Sequence, residues 1–133
     1  MNQNGLSIRP MEHGELQKLV DFLKEFWSES HIFVTHPKLF DWQHKGSDKY
    51  NAIVAVKDER IIGFMGSIPQ SHFDSKLPTD QIFLALWGVD EMSGIATGFR
   101  LFRKIIDEYQ PQFIGSLGMN QKTIDFHKWQ KFV

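Results

Sequence analysis

The chain has 133 residues, 41% of them hydrophobic and 23% charged, which suits one globular domain with a core of its own. Fifteen basic and 16 acidic residues give a formal net charge of −1, so no domain-wide positive field exists to hold a nucleic-acid backbone. There is no cysteine, which excludes disulfides, thiolate metal sites and cysteine nucleophiles.

The N-terminal run MNQNGLSIRPMEHGEL lacks the apolar stretch of a signal peptide. No segment approaches the roughly 20 apolar residues that span a bilayer, so no membrane insertion and a cytoplasmic location are expected. Leu6 to Met11 alternate and predict a first strand. Leu16, Leu19, Val20, Leu23, Phe26 and Trp27 recur at three- and four-residue spacing, predicting a helix with all six on its apolar face. Periodicity lapses over residues 28–36. Pro37 then opens a short helix carrying Leu39, Phe40 and Trp42, which Gly46 stops.

From Tyr50 the pattern is that of strands. YNAIVAV and IIGFMGSI flank the polar turn KDER and predict an antiparallel hairpin. After Pro69 and a polar loop, QIFLALWGV reads as a central, buried strand. DEMSGIATG leads into an amphipathic helix over 98–109. Pro111 precedes a strand, FIGSLGM, and NQKTIDFHKWQKF predicts a last helix. The order β-α-α-β-β-β-α-β-α fits one α/β domain over residues 1–133: a mixed, mostly antiparallel sheet with helices on both faces.

The junction after QIFLALWGV is where chemistry is expected. A helix N-terminus carries unpaired N–H groups and partial positive charge, which suits phosphate. Gly94, Ala96 and Gly98 let an anion approach the backbone, and Ser93 and Thr97, flanking Ile95, offer hydroxyls. The bland alternative is a plain helix entry capped by Ser or Thr. Asp90, Glu91 and His72 are the candidate bases. His31 and His36 lack the further ligands of a zinc site, so no metal is expected. The nucleophile elbow G-x-S-x-G, the G-K-[ST] phosphate loop and H-E-x-x-H are all missing.

Two strings resemble the GNAT superfamily of acyl-coenzyme A N-acyltransferases, in the same element order over nearly the whole chain. In that family an apolar strand end precedes a Q/R-x-x-G-x-G/A loop; here LWGV precedes E-M-S-G-I-A, with Gly94 and Ala96 at the small positions. The family's Asn-x-x-Ala-x-x-Phe-Tyr-x-x-x-Gly-Phe is answered by N-Q-K-T-I-D-F-H-K-W-Q-K-F, with Asn120, Thr123, Phe126, His127 and Phe132 in register. Glu91 stands where the loop usually opens with Gln or Arg, His127 replaces the Tyr, Lys131 replaces the Gly, and the loop is about three residues short.

The resemblance implies acyl transfer, acetyl above all, from an acyl-coenzyme A to a primary amine. It implies that the segment from Ser93 to Gly98 holds the pyrophosphate, Val89 the pantetheine and Asn120 the coenzyme side of the last helix. His127 would act as general acid, with Glu91 a further catalytic candidate. Phe33 and Trp42, with Phe40 and His44, would line the acceptor side, joined by His72. A non-catalytic module of a longer protein is the other reading. The family usually adds two strands beyond Phe132, so a longer polypeptide or a second chain, as in a homodimer, is expected to complete the sheet. FDWQ, GFMGSIPQ and LALWGV also resemble GNAT-type proteins of bacterial surface-polysaccharide pathways, which implies an amino-sugar acceptor.

Overall fold

A computed structural model describes residues 5–116 together with Ile124, Asp125, Lys128 and Trp129. The elements run β1 (Ser7–Pro10), a 3-10 turn (His13–Glu15), α1 (Leu16–Phe26), α2 (Ile32–Thr35), α3 (Pro37–His44), β2 (Ala52–Lys57), β3 (Arg60–Pro69), a second 3-10 turn (Gln70–His72), β4 (Gln81–Val89), α4 (Gly94–Tyr109) and β5 (Phe113–Ser116). The sheet order is β1-β2-β3-β4-β5, antiparallel except for the parallel pair β4–β5. This is the expected mixed sheet. Leu117 to Met119 of the predicted last strand lie outside the described residues, as does most of the last helix, of which Ile124, Asp125, Lys128 and Trp129 are helical.

Local chemistry accounts for the element ends. Asp58 and Glu59 both take positive φ (52° and 64°) in the β2–β3 turn, the conformation whose twist matches an antiparallel hairpin. The unpredicted α2 arises because His31 caps it: Nδ1 accepts the Phe33 N–H at 3.1 Å, satisfying a donor that the helix leaves open. Pro37 sits in the first turn of α3. At the start of α1, Arg9 donates to both carboxylate oxygens of Glu15 at 2.7 Å, and the Glu12 N–H donates to Glu15 Oε1 at 2.9 Å. The Arg9 hydrogen bond, opposed by burial, holds the Glu15 carboxyl below its ordinary range.

Two cores lie on the two faces of the sheet. α1 to α3 cover one, where Leu19, Phe22, Leu23, Phe33, Phe40 and Phe64 are buried together. α4 covers the other, burying Leu101, Phe102 and Ile105 against Ile53, Met65 and Ile82. Each such side chain contributes about 1.5–3 kcal/mol by leaving water. A polar seam joins the layers: Tyr109 Oη donates to Asn51 Oδ1 at 2.8 Å, Ser67 Oγ donates to Tyr109 Oη at 3.2 Å, and His44 Nδ1 donates to the Ser67 carbonyl at 3.0 Å. His44 is fully buried, and burial outweighs its bonds and lowers its pKa to about 4. Among the described residues no helix is long and apolar enough to cross a membrane.

The structure corrects three sequence expectations. Phe26 and Trp27, assigned to the buried face of α1, are 41% and 51% exposed; α1 ends there, and Trp27 is its C-cap. α4 starts at Gly94 rather than Gly98. β4 is not buried throughout: Ile82 and Leu84 are, whereas Ala85 to Val89 are half-buried.

Candidate active site

β4 changes character at a bulge. Met65 pairs with Trp87 and Ser67 with Leu84, so β4 spends one more residue than β3 over that interval, and Leu86 takes φ 85° within it. A bulge shifts the alternation of side chains by one. Before it, Ile82 and Leu84 face α4; after it, Leu86 turns to the α1–α3 core while Trp87 and Val89 turn to α4. Among the described residues, parallel pairing with β5 covers Gln81 to Leu84. The second half of β4, Ala85 to Val89, is a half-buried run.

Beyond Val89 the chain enters α4 through a compact turn. The Asp90 carboxylate accepts from the Ser93 N–H at 2.8 Å and from the Ser93 hydroxyl. Gly94 follows with φ 71°, and a Cβ built there meets nothing within 4 Å. Gly94, Ile95 and Ala96 are exposed, at the first turn of a 16-residue helix whose N–H groups have no partners within the helix. Arg100, one turn beyond Ala96 on the same face and exposed, adds a positive charge.

Thr97 and Gly98 sit differently. Thr97 is buried and its hydroxyl donates to the Ser93 carbonyl at 3.2 Å. Gly98 is buried, and a Cβ there would lie 3.6 Å from Trp87 Nε1. Both face the sheet rather than the open turn. Glu91 is exposed beside it.

The predicted acceptor residues fall into two groups. Phe33 lies in the core with its ring 5.2 Å from Phe40 and 6.2 Å from His44. Trp42 is 64% exposed and stacks on Phe73 at 4.8 Å, and His72 Nε2 donates to the Trp42 carbonyl at 3.0 Å. That cluster adjoins the start of β4, roughly 20 Å along the strand from Val89 at about 3.3 Å per residue. Asn120 and His127 lie outside the described residues.

The sequence reading missed the residues that cover the end of β4 on the α1–α3 side. A Cβ on Gly88 would lie 3.1 Å from Trp27 Cζ3, so the Trp27 ring covers the end of β4. His31 meets that ring edge-on, with centroids 5.4 Å apart, and burial lowers its pKa. Two small grooves elsewhere, of about 140 and 150 Å³, are lined by Lys18, Asp21 and Arg60 and by Asn51, Glu108 and Tyr109. Both are below the roughly 300 Å³ of an ordinary ligand pocket. Among the described residues no group of three or more His, Asp or Glu could hold a metal ion.

No protein-family model and no curated protein matches the chain. Solved structures do. The aminoglycoside N-acetyltransferase AAC(6')-Iy in complex with CoA matches with a TM-score of 0.69 at 15% identity, over 98% of this chain and 88% of that one. The GNAT family N-acetyltransferase YhbS from Escherichia coli in complex with CoA gives 0.64 at 18%, over 99% and 69%. An aminoglycoside acetyltransferase from an uncultured soil metagenomic sample, in complex with sisomicin, gives 0.67 at 16%, over 96% and 88%. At such identities the likeness is one of fold. The chain has the fold of the GNAT N-acetyltransferases.

Proposed function

We propose that the chain is an acyl-coenzyme A-dependent N-acyltransferase acting on a primary amine. One observation carries the reading: past the β4 bulge at Leu86 a half-buried strand end runs straight into a glycine-opened helix N-terminus. That run suits a long, partly apolar ligand ending in an anion. The coenzyme-bearing solved structures of the same fold support the choice of acyl-coenzyme A.

The pyrophosphate would meet the N–H groups of Gly94, Ile95 and Ala96, with Arg100 countering its charge. Ser93, Thr97 and Gly98 would fix the turn and pack its helix rather than touch phosphate. Backbone groups around Val89 would hold the pantetheine as an extended partner of β4. The amine nitrogen then attacks the thioester carbonyl; a C–N bond forms, the C–S bond breaks, and the coenzyme thiolate takes up a proton as the nitrogen loses one. Glu91, exposed beside the turn, would accept the amine proton, and His127 would supply the thiolate's. Asp90 is committed to Ser93 and holds the turn before α4.

Calorimetric titration of acetyl-coenzyme A, with Gly94→Asp as control, tests the site; thiol release with hexosamines, aminoglycosides and simple amines tests turnover. Micromolar binding abolished by the substitution, with thiol release in the wild type, is expected. Absence of coenzyme binding by the wild type refutes the reading. Binding without thiol release from any amine would favour a non-catalytic module, the alternative to which the two carboxylates at the turn, Asp90 and Glu91, point.

A further inference from the structure

Four large apolar side chains stand in solvent on α3 and on the loop that leaves β3, at the end of β4 away from Gly94. Leu39, Trp42, Phe73 and Leu77 are 36%, 64%, 54% and 43% exposed. The two rings are in contact and held in place. Trp42 and Phe73 stack with centroids 4.8 Å apart, and His72 meets Phe73 edge-on at 4.6 Å while its Nε2 donates to the Trp42 carbonyl at 3.0 Å. Leu39 precedes Trp42 by one turn of α3. Rings fixed in this way lose little freedom when a partner covers them.

Lysines flank the same face. Lys38 lies one turn before Trp42 on its side of α3, and Lys45, the C-cap, lies one turn after it. Lys76 stands on the loop between Phe73 and Leu77. All three are exposed, and none has an ion pair among the described residues. Over residues 36–45 and 70–80 the exposed charges at neutral pH are these three lysines and one carboxylate, Asp74. Asp41 and Asp80 are half-buried, and Asp41 accepts from the Tyr50 hydroxyl. A local excess of positive charge thus surrounds the apolar patch on a chain whose formal net charge is −1.

We propose that this face adsorbs to an anionic lipid surface, with Trp42 and Phe73 at headgroup level and Lys38, Lys45 and Lys76 against the lipid phosphates. Aromatic rings seat well where a bilayer is part wet and part apolar. Lysines reach anionic headgroups while their stems lie along apolar surface. A protein partner fits less well, because protein interfaces favour aromatic rings but are depleted in lysine. A second copy fits worst, since a two-fold contact would set the same three lysines against each other. Adsorption of this kind is independent of acyl transfer and needs no element to cross the bilayer.

The test is co-sedimentation of the chain with vesicles of phosphatidylcholine alone, or mixed equally with phosphatidylglycerol. The wild type should pellet with the mixed vesicles and partition at least about tenfold less onto phosphatidylcholine, because each lysine near an anionic surface adds a several-fold factor. Salt at about 1 M, where screening acts over roughly 3 Å, should remove the difference. Trp42→Ala/Phe73→Ala and Lys38→Gln/Lys45→Gln/Lys76→Gln should each lose at least about tenfold in partitioning. Both should keep the circular dichroism of the wild type, since all five side chains are exposed. Trp27→Ala should bind as the wild type does, because that exposed indole caps α1 and lies outside this face. Trp42→Phe should still pellet, but without the quenching of tryptophan emission that brominated acyl chains cause in the wild type. Failure to pellet with the mixed vesicles, equal partitioning onto both kinds, or an equal loss in Trp27→Ala overturns the inference. So does a concentration-dependent dimer in sedimentation velocity that Trp42→Ala/Phe73→Ala abolishes.

Discussion

Gly94 and Gly98 stand four residues apart in one helix, and their replacement by alanine should move stability in opposite directions. At Gly94 φ is 71° and a Cβ has open space, so the cost is confined to the backbone. Holding an L-residue in the left-handed region costs roughly 1–2 kcal/mol, offset in part by the lower entropy of the unfolded chain. A net loss of about 1 kcal/mol is expected. At Gly98 the backbone is ordinary helix, and the new methyl would sit 3.6–3.8 Å from Trp87 and Val89, in normal contact. Helix propensity then favours alanine by about 0.5–1 kcal/mol. Urea unfolding followed by circular dichroism reads both, and thermal midpoints should separate by about 3–8 °C at roughly 2–4 °C per kcal/mol. Coenzyme affinity should fall in Gly94→Ala, whose methyl enters the anion's approach, and hold in Gly98→Ala. Shifts of the same sign would refute the assignment of Gly94 to an open turn and Gly98 to packing.

His44 gives a pH signature. Its folded pKa, about 4, lies below the ordinary 6.5, so the unfolded chain binds the proton more readily. Stability is therefore intact above pH 6.5 and falls as the pH drops toward 4. Between pH 7 and pH 5 the wild type should lose about 2 kcal/mol more than His44→Gln in urea titrations, and parallel curves would contradict the burial argument. Tyr109→Phe should cost about 1–2 kcal/mol, because Asn51 Oδ1 and the Ser67 hydroxyl lose their shared partner inside the seam. An unchanged denaturation midpoint would show that water replaces that hydroxyl without cost.

The sequence by itself determined the order of the strands, the β2–β3 hairpin and the small-residue turn between β4 and α4. Each rests on local information: alternation, a three-to-four-residue period, or a small residue where φ must be positive. Even α2 had a local cause, the His31 side chain, although no periodicity announced it. Tertiary structure alone decided the bulge. Nothing in Leu-Ala-Leu marks Leu86 as the residue to take φ 85°, because bulge and register are set by how β3 and β4 pack between two cores. That one-residue shift sends Leu86 and Gly88 to the α1–α3 face and Val89 to α4. It also leaves the strand end half-buried where uniform hydrophobicity predicted burial. Trp27 was misassigned for the same reason. Its spacing places it on the apolar face of α1, but α1 stops beneath it, and whether a ring at a helix end enters the core or borders an opening depends on what stands opposite. Here that is Gly88, on a strand 61 positions away in sequence.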